Sequence, residues 1–165
     1  MKGFYSFFLM FVFASCLSQD VEHKGFAFSP GVILQREVFA EANITYGTIV
    51  SNKMMIGISG VRVGVESNLK SGDDFTIAPK IGCEVAMTFL AMRATAVHYF
   101  QNGNNEFRLV PEVGISMGGA INLTYGYGFR FQKAEIANLS QHRLSLTLNI
   151  NQTLFETLGL SVMKF

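Results

Sequence analysis

Ionic side chains are scarce in this sequence: of its 165 residues, 15% are Asp, Glu, Lys or Arg, where a soluble domain carries about 25%. That is too few to cover an ordinary wet surface, so something other than water is expected over part of it. The formal net charge is only +1 and no basic tract occurs, so the electrostatic footprint of a nucleic-acid binder is missing. Tryptophan is absent, and there are two cysteines and three histidines. His23, His98 and His142 are far apart in the chain, so no metal site is expected, and no cofactor either. The glycine-containing runs at 57–60, 114–118 and 125–128 match no phosphate-binding pattern. Gly114-Ile115-Ser116-Met117-Gly118 has the letters of a nucleophile elbow, but that motif needs a strand-to-helix turn, and a second strand follows here. Also missing, from residue 25 to the C-terminal tail, is any sustained helical apolar stripe.

The start of the chain reads as an address. Lys2 supplies a positive end, Phe7-Phe8-Leu9-Met10-Phe11-Val12-Phe13 an apolar centre, and Ala14, Ser15, Cys16 and Ser18 a run of small residues. The apolar centre is shorter than the ~20 residues a spanning helix needs. Segment 1–18 therefore reads as a signal peptide, with Gln19 first in the mature chain. A second reading is a bacterial lipoprotein signal with Cys16 lipidated, although Phe13 stands where such signals usually carry Leu. After cleavage past Ser18 one thiol remains, Cys83, which can form no internal disulfide and reads as a packed apolar residue.

What the sequence has in abundance is alternation with period two. In segment 120–131, Ile121, Leu123, Tyr125, Tyr127, Phe129 and Phe131 take one face against Asn122, Thr124, Gly126, Gly128 and Arg130. Segment 142–151 sets Leu144, Leu146, Leu148 and Ile150 against Arg143, Ser145, Thr147 and Asn149. Segment 75–89 sets Ile77, Pro79, Ile81, Cys83 and Val85 against Ala78, Lys80, Gly82, Glu84 and Ala86. Segments 38–50 and 106–118 follow the same rule, with Phe39 as an exception at a strand edge. In 55–66, Val61, Val63 and Val65 alternate but Ile56 and Ile58 have the wrong parity, so a bulge or a weaker pattern is expected. Segment 90–101 is mixed, and the first strand spans about 26–34. Connections near 51–53, 89–90 and 118–119 read as tight turns, while 68–74, 101–105 and 132–141 read as longer loops. The turn at 35–37 is short where a long loop would belong.

Composition separates the two faces. The polar one collects Glu41, Arg62, Glu66, Lys80, Glu84, Arg93, Arg108, Glu112, Arg130 and Arg143, set among Gly, Ala, Ser, Thr and Asn. The lumen of a barrel of about eight strands is only wide enough for side chains to fill it, and small residues beside Arg and Glu suit that space. An Arg or Lys facing a bilayer midplane costs ~2–4 kcal/mol, and ions turned inward must be paired. The expected fold is all-β, a closed antiparallel up-and-down β-barrel of about eight strands over 19–151. Its charges form a structural network that plugs the lumen. In the tail, 152–165, Leu154, Leu158 and Val162 recur at helical spacing while Leu158, Leu160 and Val162 alternate as in a strand, and both readings stay open.

Ala78-Pro79-Lys80-Ile81-Gly82, Pro111-Glu112-Val113-Gly114, Leu123-Thr124-Tyr125-Gly126-Tyr127-Gly128 and His142-Arg143-Leu144-Ser145-Leu146 resemble strand motifs of small outer-membrane barrel proteins of the Bacteroidetes. The likeness covers about 75–151, and the architecture is similar to the OmpA transmembrane and OmpX barrels. It implies a bacterial outer-membrane location, contact with membrane lipids including lipopolysaccharide, and help from the barrel-assembly machinery during biogenesis. Phe165 resembles the C-terminal aromatic read by that machinery. The expected role is non-enzymatic: structural, adhesive or interactive, through exterior loops 68–74 and 132–141 and a surface partner not specified by the sequence. One alternative is a soluble exported barrel of lipocalin type enclosing an apolar ligand. Another is a lipid A-modifying enzyme using Ser140 and His142, with His98 near the same rim, although no orienting carboxylate is identifiable by spacing.

Overall fold

The computed structural model describes residues 22–51, 55–131, 136 and 139–159. The signal segment with Cys16, the turn residues Asn52 and Lys53, most of the 132–141 loop and the terminal 160–165 fall outside them.

Eight antiparallel strands close into a ring: β1 (Glu22–Leu34), β2 (Val38–Ser51), β3 (Ile56–Ser67), β4 (Ile77–Met87), β5 (Leu90–Gln101), β6 (Asn104–Met117), β7 (Ile121–Tyr127) and β8 (His142–Leu148). A two-residue piece, Phe129–Arg130, continues β7 past Gly128 and pairs with β6. Each strand pairs with its neighbours in sequence, and β1 pairs with β8 to complete the barrel. The expected fold class is the observed one. The alternating residues predict it because successive side chains of a strand point to opposite faces, so one set lines the lumen and the other forms the outer wall.

The β1–β8 seam is much shorter than the other pairings. Gly31–Leu34 oppose Thr147–Leu144 in four pairs, and a single bridge joins Phe28 to Ile150 through Phe28 N–H to Ile150 O (3.1 Å) and Ile150 N–H to Phe28 O (2.7 Å). Pro30, which has no N–H to donate, falls between the two stretches.

Several expectations need correction. Strand β3 has no bulge: its register with β2 and β4 is unbroken. Ile58 points inward because the lumen is apolar near its ends. At the end where the strand termini lie, Ala27, Ile49, Ile58, Ala86 and Ala91 form an apolar layer. At the opposite, loop end, Phe39 is likewise buried in a layer with Ile33, Ala78, Val97, Tyr99 and Val110, joined by Ile136 and Leu139 of the β7–β8 connection. The 101–105 segment is a tight hairpin instead of a longer loop: strands run through Gln101 and from Asn104, and Asn102 and Gly103 turn the chain at φ of 45° and 78°, the pair of positive values a two-residue hairpin needs. Cys83 lies exposed on the outer wall.

The tail begins as a helix, α1 (Gln152–Thr157). Asn151 caps it by accepting the Leu154 N–H at 3.3 Å. Its Leu154 is fully buried against the termini-end apolar layer, so the helix closes that end like a stopper.

Candidate functional site

The lumen between the two apolar layers holds eight ionised groups in equal numbers of each sign: Glu41, Glu66, Glu84 and Glu112 with Arg62, Lys80, Arg93 and Arg143, all buried. Three of them stand in line across adjacent strands, because Glu84 opposes Arg93 and Arg93 opposes Glu112. The row continues through Gly126, which opposes Glu112 on one side and Arg143 on the other. A Cβ on Gly126 would meet Glu112 Cγ at 2.6 Å and Arg143 Cγ at 3.2 Å. Glycine there opens the space in which Glu112 Oε1 and Arg143 Nε approach to 3.0 Å. Gly31 does the same for Glu41, so small residues opposite long ones let a narrow lumen fill without overlap.

Each carboxylate is satisfied more than once. Glu66 accepts from Lys80 Nζ at 3.0 Å, from Arg143 Nη2 at 3.1 Å and from the Tyr99 hydroxyl. Glu41 takes Lys80 Nζ and the Thr147 hydroxyl, the latter at 2.7 Å. Glu84 takes Arg62 Nη1 at 2.7 Å and Asn149 Nδ2 at 2.6 Å, with Arg93 Nε 3.0 Å away. Glu112 takes the Ser145 hydroxyl at 2.9 Å. This density is what buried ions require, since an uncompensated charge in a low-dielectric interior is very costly.

The remaining two of the ten sequence-selected residues lie elsewhere. Arg108 is buried nearer the loop end, where its Nε bonds Glu106 Oε1 at 2.6 Å and its Nη1 donates to the Ser140 carbonyl. Arg130 sits 28% exposed at the rim, with its Nε 3.3 Å from the same Glu106 oxygen. Sequence reasoning missed Glu106 and Tyr99. Tyr99 links the two groups, lying under the Arg108 guanidinium (5.4 Å to the ring centroid) and bonding Glu66. Its signal was present, for it is in phase with Arg93, Thr95 and Val97.

At the loop end, Asn68 organises the β3–β4 connection. Its Nδ2 donates to the Asp74 carbonyl at 2.7 Å, and its Oδ1 accepts the Thr76 N–H at 3.0 Å. Lys70 Nζ donates to Glu37 Oε1 at 2.5 Å, tying this connection to the β1–β2 turn. That bond, with a smaller contribution from Asn68, holds the Glu37 carboxyl below its ordinary value, and it raises the Lys70 ammonium.

The residues considered for catalysis do not form a relay. The Ser140 hydroxyl accepts the His142 backbone N–H at 3.2 Å, and the His142 ring bonds the Tyr125 hydroxyl through Nδ1. His98 instead packs against Phe100 and Phe107. The outer wall is apolar on every strand, from Phe26, Ile44 and Val63 through Ile81 and Met92 to Val113, Leu123 and Leu146. Among residues whose side chains are described, the exposed charges, Lys24, Arg36, Lys70, Asp73, Asp74 and Glu156, all lie toward the two ends. No family model, curated protein or solved structure matches the chain; its distinguishing feature is an inverted barrel, ionic within and apolar without.

Proposed function

We propose that the chain is an integral barrel of a bacterial outer membrane, without enzymatic activity, whose exterior connections serve a structural, adhesive or interaction role. The observation that carries this reading is the inversion itself. Water-soluble monomers rarely expose contiguous apolar surface beyond a few hundred Å², whereas here every strand presents it. Among the described residues no helix is long and apolar enough to cross a membrane, so a crossing by these residues is made by strands, and a closed ring leaves no strand edge unpaired in lipid.

The outward aromatics support the same reading. Phe26, Tyr46 and Phe89 gather toward the termini end, and Phe75, Phe100, Phe129 and Phe131 toward the loop end, with Val, Ile and Leu between. Two aromatic girdles flanking an apolar band are the usual signature of a lipid-spanning barrel. The leader-like segment 1–18 agrees with export. The ionic filling of the mid-lumen argues against a passage for solutes and against the apolar cavity that a lipocalin-type carrier needs.

Cell fractionation tests the proposal. The chain is expected in the outer-membrane fraction, extractable only with detergent, with the folded form migrating differently on gels before and after boiling. Recovery of folded chain in buffer without detergent would overturn the reading. Deleting the gene is expected to leave lipid A acylation unchanged.

A further inference from the structure

We infer that residues 160–165 return as a short strand and pair with the open edge of β1 at the termini end, strapping shut a stretch of sheet border that the barrel itself leaves free. The argument concerns backbone hydrogen bonds alone, and it is the same whether the outer wall meets lipid or water.

Backbone pairing between β1 and the β8 side stops at the Phe28–Ile150 bridge. β1 nevertheless reaches back a further six residues to Glu22, and on its other side it stays paired with β2 throughout, Glu22 opposing Val50. Successive residues of a strand turn their N–H and C=O to opposite sides. Phe28 turns both toward Ile150, so Phe26, Lys24 and Glu22 turn theirs the same way. Asn151 Nδ2 donates to the Phe26 carbonyl at 3.0 Å. Beyond it, no strand among the described residues pairs with β1 on this side. Such a row is a ready template for another chain. The exposed Lys24 discourages a foreign strand but supplies no backbone partner.

The course of the chain names the occupant. Ile150 and Asn151 bring it to this very edge, and α1 then carries it across the mouth of the barrel, where Leu158 Cδ2 lies 2.8 Å from the position a Gly118 Cβ would take. There the helix ends: Gly159 has a φ of 69°, and its N–H donates to the Glu156 carbonyl at 3.1 Å, the positive-φ glycine that stops a helix and redirects the chain. The six residues of α1 advance ~9 Å, whereas six extended residues reach ~20 Å. Residues 160–165 can therefore recross the mouth with length left to pair. Leu160 and Val162 alternate with Ser161 and Met163, and the segment holds neither Pro nor Gly. Other occupants fit less well. Residues 1–21 lead into β1 and would need a turn of their own to reach its edge, and a second copy pairing its β1 antiparallel would point its barrel the opposite way.

The test follows amide hydrogen exchange by NMR in the full chain and in a chain ending at Gly159, with slow exchange around Tyr99 in both showing that the barrel is intact. The Lys24 amide is expected to exchange at least about tenfold more slowly in the full chain. Ser161→Pro, Val162→Pro and Met163→Pro are then compared. An added edge strand turns every second N–H toward β1 and the rest away, so proline, which has none, is harmful at one parity and tolerated at the other. The response is expected to alternate, with Val162→Pro differing from its two neighbours. Equal Lys24 exchange in the full and shortened chains would overturn the strap, as would an equal response to all three prolines. Protection of Lys24 that survives the deletion also overturns it, and its dependence on protein concentration then tells a second copy from residues 1–21.

Discussion

Glu84 and Arg93 face each other directly across β4 and β5, with Glu84 Oε2 3.0 Å from Arg93 Nε and both side chains closed off from solvent. Arg93 also lies between two carboxylates, since Glu112 opposes it on β6. Arg93→Met strands part of that negative charge in the interior and is expected to cost about 3–5 kcal/mol of stability. The paired change Glu84→Gln with Arg93→Met is expected to cost clearly less than the sum of the two single changes. Urea unfolding of the four proteins in micelles gives the coupling.

Gly126 is a place where bulk is forbidden. Gly126→Val puts carbon where Glu112 Cγ and Arg143 Cγ already are, so it overpacks the lumen and forces the ion pair apart. Overpacking alone costs about 1–3 kcal/mol, and the separated ions add to it. Thermal unfolding followed by loss of β-sheet circular dichroism checks this. Gly126→Ala should fall between wild type and Gly126→Val.

Val63 distinguishes lipid from water on the outer wall. It is 54% exposed between Ile44 on β2 and Ile81 on β4, away from the ends. In a bilayer, Val63→Arg is expected to cost ~2–4 kcal/mol, the penalty of a midplane Arg on a lipid-facing strand. In water the same change would be nearly neutral. Refolding equilibria into lipid vesicles measure it, and a neutral result would speak for a soluble barrel.

Glu37 and Lys70 set a pH dependence at the loop end. The Glu37 carboxyl is held below 4.5 by the Lys70 bond, so its contribution is fully present above about that pH and is lost as pH falls through the lowered value. Lys70 is raised above 10.5, so its contribution is present below that value and lost as pH climbs through the raised one. Carbon-detected NMR titration of Glu37 is expected to show the lowered value return toward normal in Lys70→Met. High salt should narrow the difference, because the pair is solvent-facing.

Leu154 is the stopper residue of α1. Leu154→Ala removes its fit against Ala27, Ile49 and Ile58 and is expected to cost about 2–5 kcal/mol, felt mostly at the termini end. Hydrogen exchange should quicken in α1 and in the adjoining ends of β1 to β3, and remain slow around Tyr99.

Alternation in the sequence predicts faces well and depth poorly. It placed Val61, Val63 and Val65 outside and Arg62 and Glu66 opposite, because parity depends only on the pleat. Ile58 and Phe39 broke the rule because one inward face changes chemistry along the barrel axis, ionic in the middle and apolar toward each end. Period two carries no information about that axis. Tyr99 went unassigned because segment 90–101 reads as mixed, although its phase with Arg93 places it within. Segment 101–105 was misjudged because polar residues occur both in long loops and in hairpins, and only the positive φ of Asn102 and Gly103 distinguishes them. The tail was ambiguous because six helical residues are too few to establish a period; the cap on Asn151 starts a helix over 152–157, while Leu160 and Val162 of the strand reading lie outside the described residues.

The meeting of the first and last strands over four opposed pairs and one bridge has a mechanical consequence. Every other junction joins strands close in sequence and can zip as a local hairpin, but this one must wait until the whole ribbon has curled round. It is therefore the last junction to form and the easiest to part, so a chain pulled by its two ends is expected to peel from the Phe28–Ile150 bridge toward Leu34 and Leu144 before any hairpin yields.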